Sequence, residues 1–153
     1  MTVILPVLVY PAGDAVAQSI LGDINPYRSL ALLIAAALFY SIEIPKWFGM
    51  LEKYCPNRFG KTVGAVLYFN PLWIARHMLV IKFGESYFNH SILLKEIPLC
   101  LMLGLKSFLA NIPISIIGNY IVQVKVPFQY RFLGSVILTG IFAIVYAFAY
   151  KFF

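Results

Sequence analysis

The feature that most constrains this chain is an uncharged apolar run near its end. Nineteen residues without a charge separate Arg131 from Lys151. At a helical rise of about 1.5 Å per residue, a run of this length crosses a hydrocarbon core of about 30 Å. The run therefore predicts a membrane-spanning helix.

The rest of the chain also has the composition of a membrane protein. Its 153 residues are 61% hydrophobic and only 12% charged, and the mean hydropathy is +0.85. Soluble domains contain about 25% charged residues, so the chain does not belong to that class. We therefore expect a single integral membrane helical domain over residues 1–153, with an all-α fold. Its architecture is predicted to be a polytopic membrane helix bundle with four to five transmembrane helices.

Four further apolar runs precede the last one, and polar or turn-forming residues separate them. The second run is predicted to bend at Pro45 and to continue as an amphipathic piece, because proline removes a backbone donor and crowds the preceding turn. Residues 83–96 are predicted to form a connecting loop with a short surface helix. The four runs cover residues 3–21, 30–44, 62–81 and 97–124.

The net charge of +6 indicates a membrane orientation and not nucleic-acid binding. The twelve basic residues are spread along the chain without a cluster on one polar face. Basic residues flank membrane spans on the inner side, where they meet anionic lipid headgroups. We therefore expect membrane lipids, anionic ones among them, and other membrane chains or self-association as partners. The densest basic segment, which we place on the matrix or cytoplasmic side, contains Lys46, Lys53, Arg58 and Lys61.

Catalytic and metal-binding patterns are missing from the sequence. His77 and His90 have no acidic or cysteine partner at ligand spacing, and Cys55 and Cys100 do not form a metal or redox motif. A serine or cysteine nucleophile would need a base beside it, and the spacing shows none. We expect no enzymatic activity, no cofactor and no metal site.

Polar residues inside the apolar runs are the candidates for function. They either pair with one another to satisfy the bundle or line a water-filled path for small solutes. Asp14 and Gln18 share a helix face because they are four residues apart. Asp14 is expected to pair with Lys106 or Arg131. The candidate pore or intrabundle residues are Asp14, Gln18, Lys106, Asn111, Asn119 and Arg131, and the other polar residues in these runs are Glu43, Arg76 and Gln123.

Three blocks, in order along the chain, carry a family resemblance. The first is Gly13-Asp14 followed by Gln18, and the second is Trp47, Phe48, Leu51, Glu52, Lys53 and Pro56. The third is Pro113, Asn119-Tyr120, Val126-Pro127 and Arg131. Together the blocks resemble the Mpv-seventeen and peroxisomal membrane protein two family of small integral membrane proteins. The resemblance implies structural roles for Gly13, Trp47, Pro56, Pro113 and Pro127.

The resemblance implies a channel-like protein that passes small solutes across an organelle membrane. The expected location is the mitochondrial inner membrane, with a peroxisomal or bacterial inner membrane as the alternative. A second function stays open: a non-catalytic supernumerary subunit of a larger inner-membrane complex, such as a respiratory or ATP-synthase assembly. Changes at polar positions of the family pattern favour it, since Ile116 stands where the family has glutamine.

Overall fold

The structure, a computed structural model, describes the backbone of residues 4–152 and the side chains of residues 7–145 except 128, 132 and 143. All regular structure in this part of the chain is helical. Two π-helical turns, Ala36–Tyr40 and Ile121–Lys125, interrupt the α-helices. The α-helices are α1 (Ile4–Leu21), α2 (Pro26–Ala35), α3 (Ser41–Tyr54), α4 (Arg58–Tyr68), α5 (Pro71–Glu85), α6 (His90–Tyr120) and α7 (Phe128–Phe152).

Three stretches within the described residues are long and apolar enough to cross a membrane. They are Pro26–Tyr54, Arg58–Glu85 and His90–Lys125, and Val7–Leu21 is a shorter apolar helix. The predicted all-α class is therefore confirmed. The apolar length of these stretches agrees with the membrane character that the composition indicates.

The helices run up and down between two ends. At one end, Tyr27 at the start of α2 packs against Tyr87 in the turn after α5, with ring centroids 5.0 Å apart. At the other end, Glu52 in the last turns of α3 contacts Arg131 in the first turn of α7. We call this second end the basic end because Lys53, Arg58 and Lys125, near the helix termini there, are exposed.

A break between α4 and α5 interrupts the stretch Arg58–Glu85. The Asn70 side-chain oxygen accepts a hydrogen bond of 3.0 Å from the Trp73 backbone N–H, and Pro71 follows at the first helical position. Asparagine caps and first-turn prolines start new helices because the amide satisfies a free N–H and proline has none. The apolar run over residues 62–81, which contains Asn70-Pro71, is therefore divided between two helices.

The prediction of a connecting loop with a short surface helix over residues 83–96 is wrong in the extent of the loop. Helix α5 continues to Glu85, and α6 already begins at His90, so only residues 86–89 connect them. Tyr87 and Phe88 make this tight connection with positive φ angles of 54° and 63°. The polarity of the segment reflects exposed helix ends and a turn, and polarity alone does not distinguish these from a loop.

Glycines allow the closest helix approaches. A Cβ on Gly104 of α6 would lie 2.6 Å from the Pro71 carbonyl oxygen and 2.9 Å from the Ala75 backbone nitrogen. A Cβ on Gly84 of α5 would lie 2.7 Å from the Tyr27 carbonyl oxygen. Small residues let the backbones of membrane helices approach each other closely. Van der Waals contact then stabilises the pair, because the hydrophobic effect does not drive helices together within lipid. Helix α5 is held in this way between α2 and α6.

Candidate functional site

A polar cavity lies beside the break between α4 and α5. Its volume is about 340 Å³, and α3 forms the facing wall. Both charged side chains of the cavity belong to stretches long enough to cross a membrane. The residues that shape its polar part are Glu43, Trp47, Tyr68, Asn70, Trp73 and Arg76.

An ion pair between Glu43 and Arg76 dominates the cavity. Arg76 Nη1 and Nη2 donate hydrogen bonds of 2.9 and 2.7 Å to the two carboxylate oxygens. The Tyr68 hydroxyl donates a third hydrogen bond of 3.2 Å to Oε2. The side chains of Arg76 and Glu43 are nevertheless 41% and 35% exposed. The pair is fixed in geometry and open on one side.

Aromatic side chains hold the guanidinium of Arg76 in place. Its central carbon lies 5.4 Å from the Tyr40 ring centre and 6.0 Å from the Trp73 ring centre. Guanidinium groups are attracted to the negative faces of aromatic rings at such distances. Tyr40 is the last residue of the π-helical turn Ala36–Tyr40, and π-helical turns are frequent at functional sites.

A buried aromatic cluster lies behind the cavity. The Trp73 and His77 rings are stacked at 5.6 Å with an interplanar angle of 8°, and Tyr10 from α1 contacts both rings. The Tyr40 hydroxyl lies 3.3 Å from His77 Nδ1. This cluster forms the inner wall of the cavity and connects α1, α5 and the π-helical turn.

Trp47 fixes the α3 side of the cavity. Its indole N–H donates a hydrogen bond of 3.0 Å to the Gly64 carbonyl of α4. Its ring lies 5.5 Å from the Tyr68 ring, so α3 and α4 are joined at two points. A carboxylate, a guanidinium, a phenol and an amide thus face one small concave space, which suits hydrogen bonding to a small polar solute.

The residues that line the cavity do not provide a set of metal ligands. No group of three or more His, Cys, Asp or Glu side chains able to hold a metal ion is present among the described residues. Glu43 is instead engaged by Arg76 and Tyr68. What the site offers chemically is charge and hydrogen bonding.

A second polar group, the Asp14 network, is closed to solvent between α1 and α2. Arg28 Nη2 and Nε lie 2.6 and 2.7 Å from Asp14 Oδ1. Ser29 and Gln18 donate to Asp14 Oδ2, and Gln18 Oε1 accepts from the Asn25 backbone N–H. Asp14, Gln18 and Arg28 are 1%, 2% and 6% exposed. These side chains satisfy one another and do not line an open path.

The expected pairing of Asp14 with Lys106 or Arg131 is wrong. Asp14 pairs with Arg28, which lies between the first two apolar runs of the sequence. Arg131 lies at the basic end, where its Nη1 is 2.9 Å from Glu52 Oε2. Lys106 is exposed on α6 and so does not point into the bundle. Helix α2 begins at Pro26, early enough to place Arg28 opposite Asp14.

The two candidate asparagines are buried in α6. Asn111 Nδ2 donates a hydrogen bond of 2.8 Å to the Ser107 carbonyl, and Asn119 Nδ2 donates one of 2.9 Å to the Ser115 carbonyl. Both bonds lie within the helix and satisfy the amide N–H locally. Of the six candidate polar residues, only Asp14 and Gln18 share a network. The six therefore do not form one site.

The family-motif positions are also dispersed. Gly13 is buried in α1, and Trp47 forms part of the cavity wall. Pro56 and Pro127 lie in the exposed connections at the basic end, and Pro113 is exposed within α6. Of these five positions, only Trp47 contributes to the cavity.

The sequence predicts that Glu43 and Arg76 are polar residues inside apolar runs, but it does not predict that they share a site. They are 33 positions apart, and no local spacing relates them. The available signal was the Asn70-Pro71 pair in the third apolar run, followed by Arg76 on the new helix. A break and a charge in one apolar run together indicate a protein-lined polar site.

Comparison with known proteins found no match: no family model, no curated protein and no solved structure matches the chain. The cavity at the α4–α5 break and the Asp14 network are therefore interpreted from their own geometry.

Proposed function

We propose that this chain is an integral membrane protein of the Mpv-seventeen type that passes small polar solutes across an organelle membrane. The solute site is the cavity at the α4–α5 break. One observation carries the proposal: the Glu43–Arg76 ion pair is partly exposed inside a cavity bounded by two membrane-length stretches. The family resemblance supports the mitochondrial inner membrane as the location.

The cost of charge in a membrane supports a functional role for the ion pair. An ionisable group inside a membrane span costs free energy. Such groups mark solute paths or proton relays more often than they face lipid. Glu43 and Arg76 neutralise each other, yet each keeps more than a third of its side chain exposed. If the pair served only to pack the helices, apolar side chains of similar volume would do this equally well.

The helix break supports the same interpretation. Discontinuous helices in transporters end near the middle of the bilayer and direct free backbone groups at the solute. Helix α4 ends at Tyr68 and α5 begins at Pro71, so the ends of both helices border the cavity. Irregular backbone at this depth is tolerated where it lines a cavity or is buried in protein.

The proposed topology has five crossings. Helix α1, the stretches Pro26–Tyr54, Arg58–Glu85 and His90–Lys125, and α7 alternate in direction between the two ends. In this arrangement the basic end faces the matrix or cytoplasm, because basic residues concentrate on the inner side. The cavity then lies within the bilayer, between the two headgroup regions.

Reconstitution of the purified protein in a planar bilayer tests this function. We expect conductance above the lipid background in the presence of small ions and metabolites. Arg76→Gln leaves the Glu43 carboxylate without its cation, so we expect a shift of selectivity towards cations. Glu43→Gln should shift selectivity in the opposite direction.

Glu52→Gln is the matched control, since Glu52 belongs to an ion pair outside the cavity. Its selectivity should equal that of the wild type. Absence of conductance above the lipid background, or equal selectivity in all four proteins, would contradict the channel proposal.

One observation favours the second function, that of a supernumerary subunit. Lys106 is exposed two residues beyond Gly104, at the level of the α4–α5 break, and no ion pair with it is present among the described side chains. A cation at this depth facing lipid is costly, and a carboxylate of a neighbouring membrane chain would compensate it. Native-gel migration of the endogenous protein tests this: a large complex lost with Lys106→Leu supports the subunit function, and a free monomer or homo-oligomer contradicts it.

A further inference from the structure

We propose that a groove between α4 and α6 at the basic end binds one anionic phospholipid. An acyl chain lies along the apolar walls of the groove, and the phosphate is bound by Arg58. This site is separate from the solute function, and it would hold whether or not the protein conducts.

The groove has the shape and chemistry for an acyl chain. Its volume is about 670 Å³, larger than that of the polar cavity. Apart from Arg58 and Thr62, its lining is apolar or aromatic. The walls are formed by Phe59, Val63 and Val66 of α4 and by Ile116, Ile117 and Tyr120 of α6.

Arg58 supplies the charge that selects an anionic headgroup. Arg58 lines the groove at the start of α4 and is exposed. Among the described side chains, none forms an ion pair with it. Lys61, one turn later, is already engaged, with its Nζ 2.7 Å from Glu52 Oε1. A guanidinium at the end of an apolar groove is complementary to a phosphate attached to an acyl chain.

The position of the groove adds to this argument. It lies between the start of α4 and the end of α6, at the basic end, where Lys53 and Lys125 are also exposed. Basic juxtamembrane residues face the leaflet that is richer in anionic lipid. Tyr120 lies at the same end of the groove, and tyrosine is enriched at membrane interfaces, where its ring is buried and its hydroxyl is hydrated.

An amphiphile fits better than a second protein chain. A partner helix would need an extended apolar face and would leave Arg58 without a counter-charge unless it also carried an acid at that position. A phospholipid supplies the apolar chain and the anion in one molecule. The occupant to which the proposal commits is therefore an anionic phospholipid.

Spin-labelled lipids test the proposal with the full-length protein in vesicles. The vesicles contain phosphatidylcholine, with a trace of either spin-labelled phosphatidylglycerol or spin-labelled phosphatidylcholine. The fraction of label that is motionally restricted measures occupancy. We expect the wild type to restrict phosphatidylglycerol preferentially, and Arg58→Gln to lower that preference by about five-fold, the typical contribution of one basic residue.

Two controls keep the outcome decisive. Lys53→Gln removes an exposed charge at the same end but outside the groove, and the preference should stay at the wild-type value. Protection of Cys100, which is fully buried, from thiol reagents reports that each variant is folded. Equal restriction of both lipids by the wild type would overturn the proposal, as would equal losses in Arg58→Gln and Lys53→Gln, or concentration-dependent dimers occupying the groove.

Discussion

Arg28 binds Asp14 across the α1–α2 interface, with Nη2 2.6 Å and Nε 2.7 Å from Asp14 Oδ1. The same guanidinium also contacts Glu85 of α5, with Nη1 3.2 Å from Oε1. One buried cation therefore joins three helices. Because both Asp14 and Arg28 are more than nine-tenths buried, removing either one deprives the other of its main charged partner in a place of low dielectric.

We expect Asp14→Asn to destabilise the bundle by about 3 kcal/mol or more, since the buried Arg28 charge loses its main partner. The double variant Asp14→Leu/Arg28→Met should recover much of that loss, because it removes both charges. Thermal unfolding in detergent, followed by the reactivity of Cys100 in a Cys55→Ser background, measures both. A double variant as unstable as the single one would argue against this ion pair.

Gly104→Ala should destabilise the protein by about 1–3 kcal/mol, because the new Cβ would push α6 away from the backbone of α5. Gly49→Ala is the matched control. Gly49 lies inside α3 with no heavy atom within 4 Å of the position that a Cβ would take, so alanine there should be neutral or stabilising by up to about 1 kcal/mol. The same unfolding assay compares the two, and a Gly104→Ala protein as stable as Gly49→Ala would contradict the close approach of α5 and α6.

Glu52→Gln should cost much less than Asp14→Asn. Glu52 bridges Lys61 and Arg131 with distances of 2.7 and 2.9 Å, but its side chain is 35% exposed. Exposed ion pairs contribute about 0–1 kcal/mol each because water already solvates both charges. An unfolding temperature lowered as far as in Asp14→Asn would show that the basic end is more buried than the structure indicates.

Membrane topology can be tested by labelling single cysteines with an impermeant maleimide. In a Cys55→Ser/Cys100→Ala background, Pro127→Cys should label from the same side as Cys55 does in the native sequence. Asp23→Cys, in the loop between α1 and α2, should label from the opposite side. The reason is the up-and-down order of the helices, which places residues 55–57 and 126–127 at the basic end. Labelling of all three positions from one side would refute five crossings.

The sequence alone determined the all-α class and the apolar length of the helices. These follow from composition and from run length, which depend only on neighbouring residues. The uncharged run between Arg131 and Lys151, for example, can be recognised without knowing which helices it contacts. Cap signals such as Asn70-Pro71 were also present in the sequence, and they explain the helix break once the two helices are seen.

Pairing between distant residues could not be determined in this way. Asp14 had several possible cations in the chain, and only the start of α2 at Pro26 and its packing on α1 bring Arg28 within 2.6 Å. Glu43 and Arg76 likewise meet because α5 packs against α2, which leads through the π-helical turn Ala36–Tyr40 into the start of α3. Charge pairing acts through space over a few ångströms, so the tertiary structure decided which polar residues satisfy the bundle and which face a cavity.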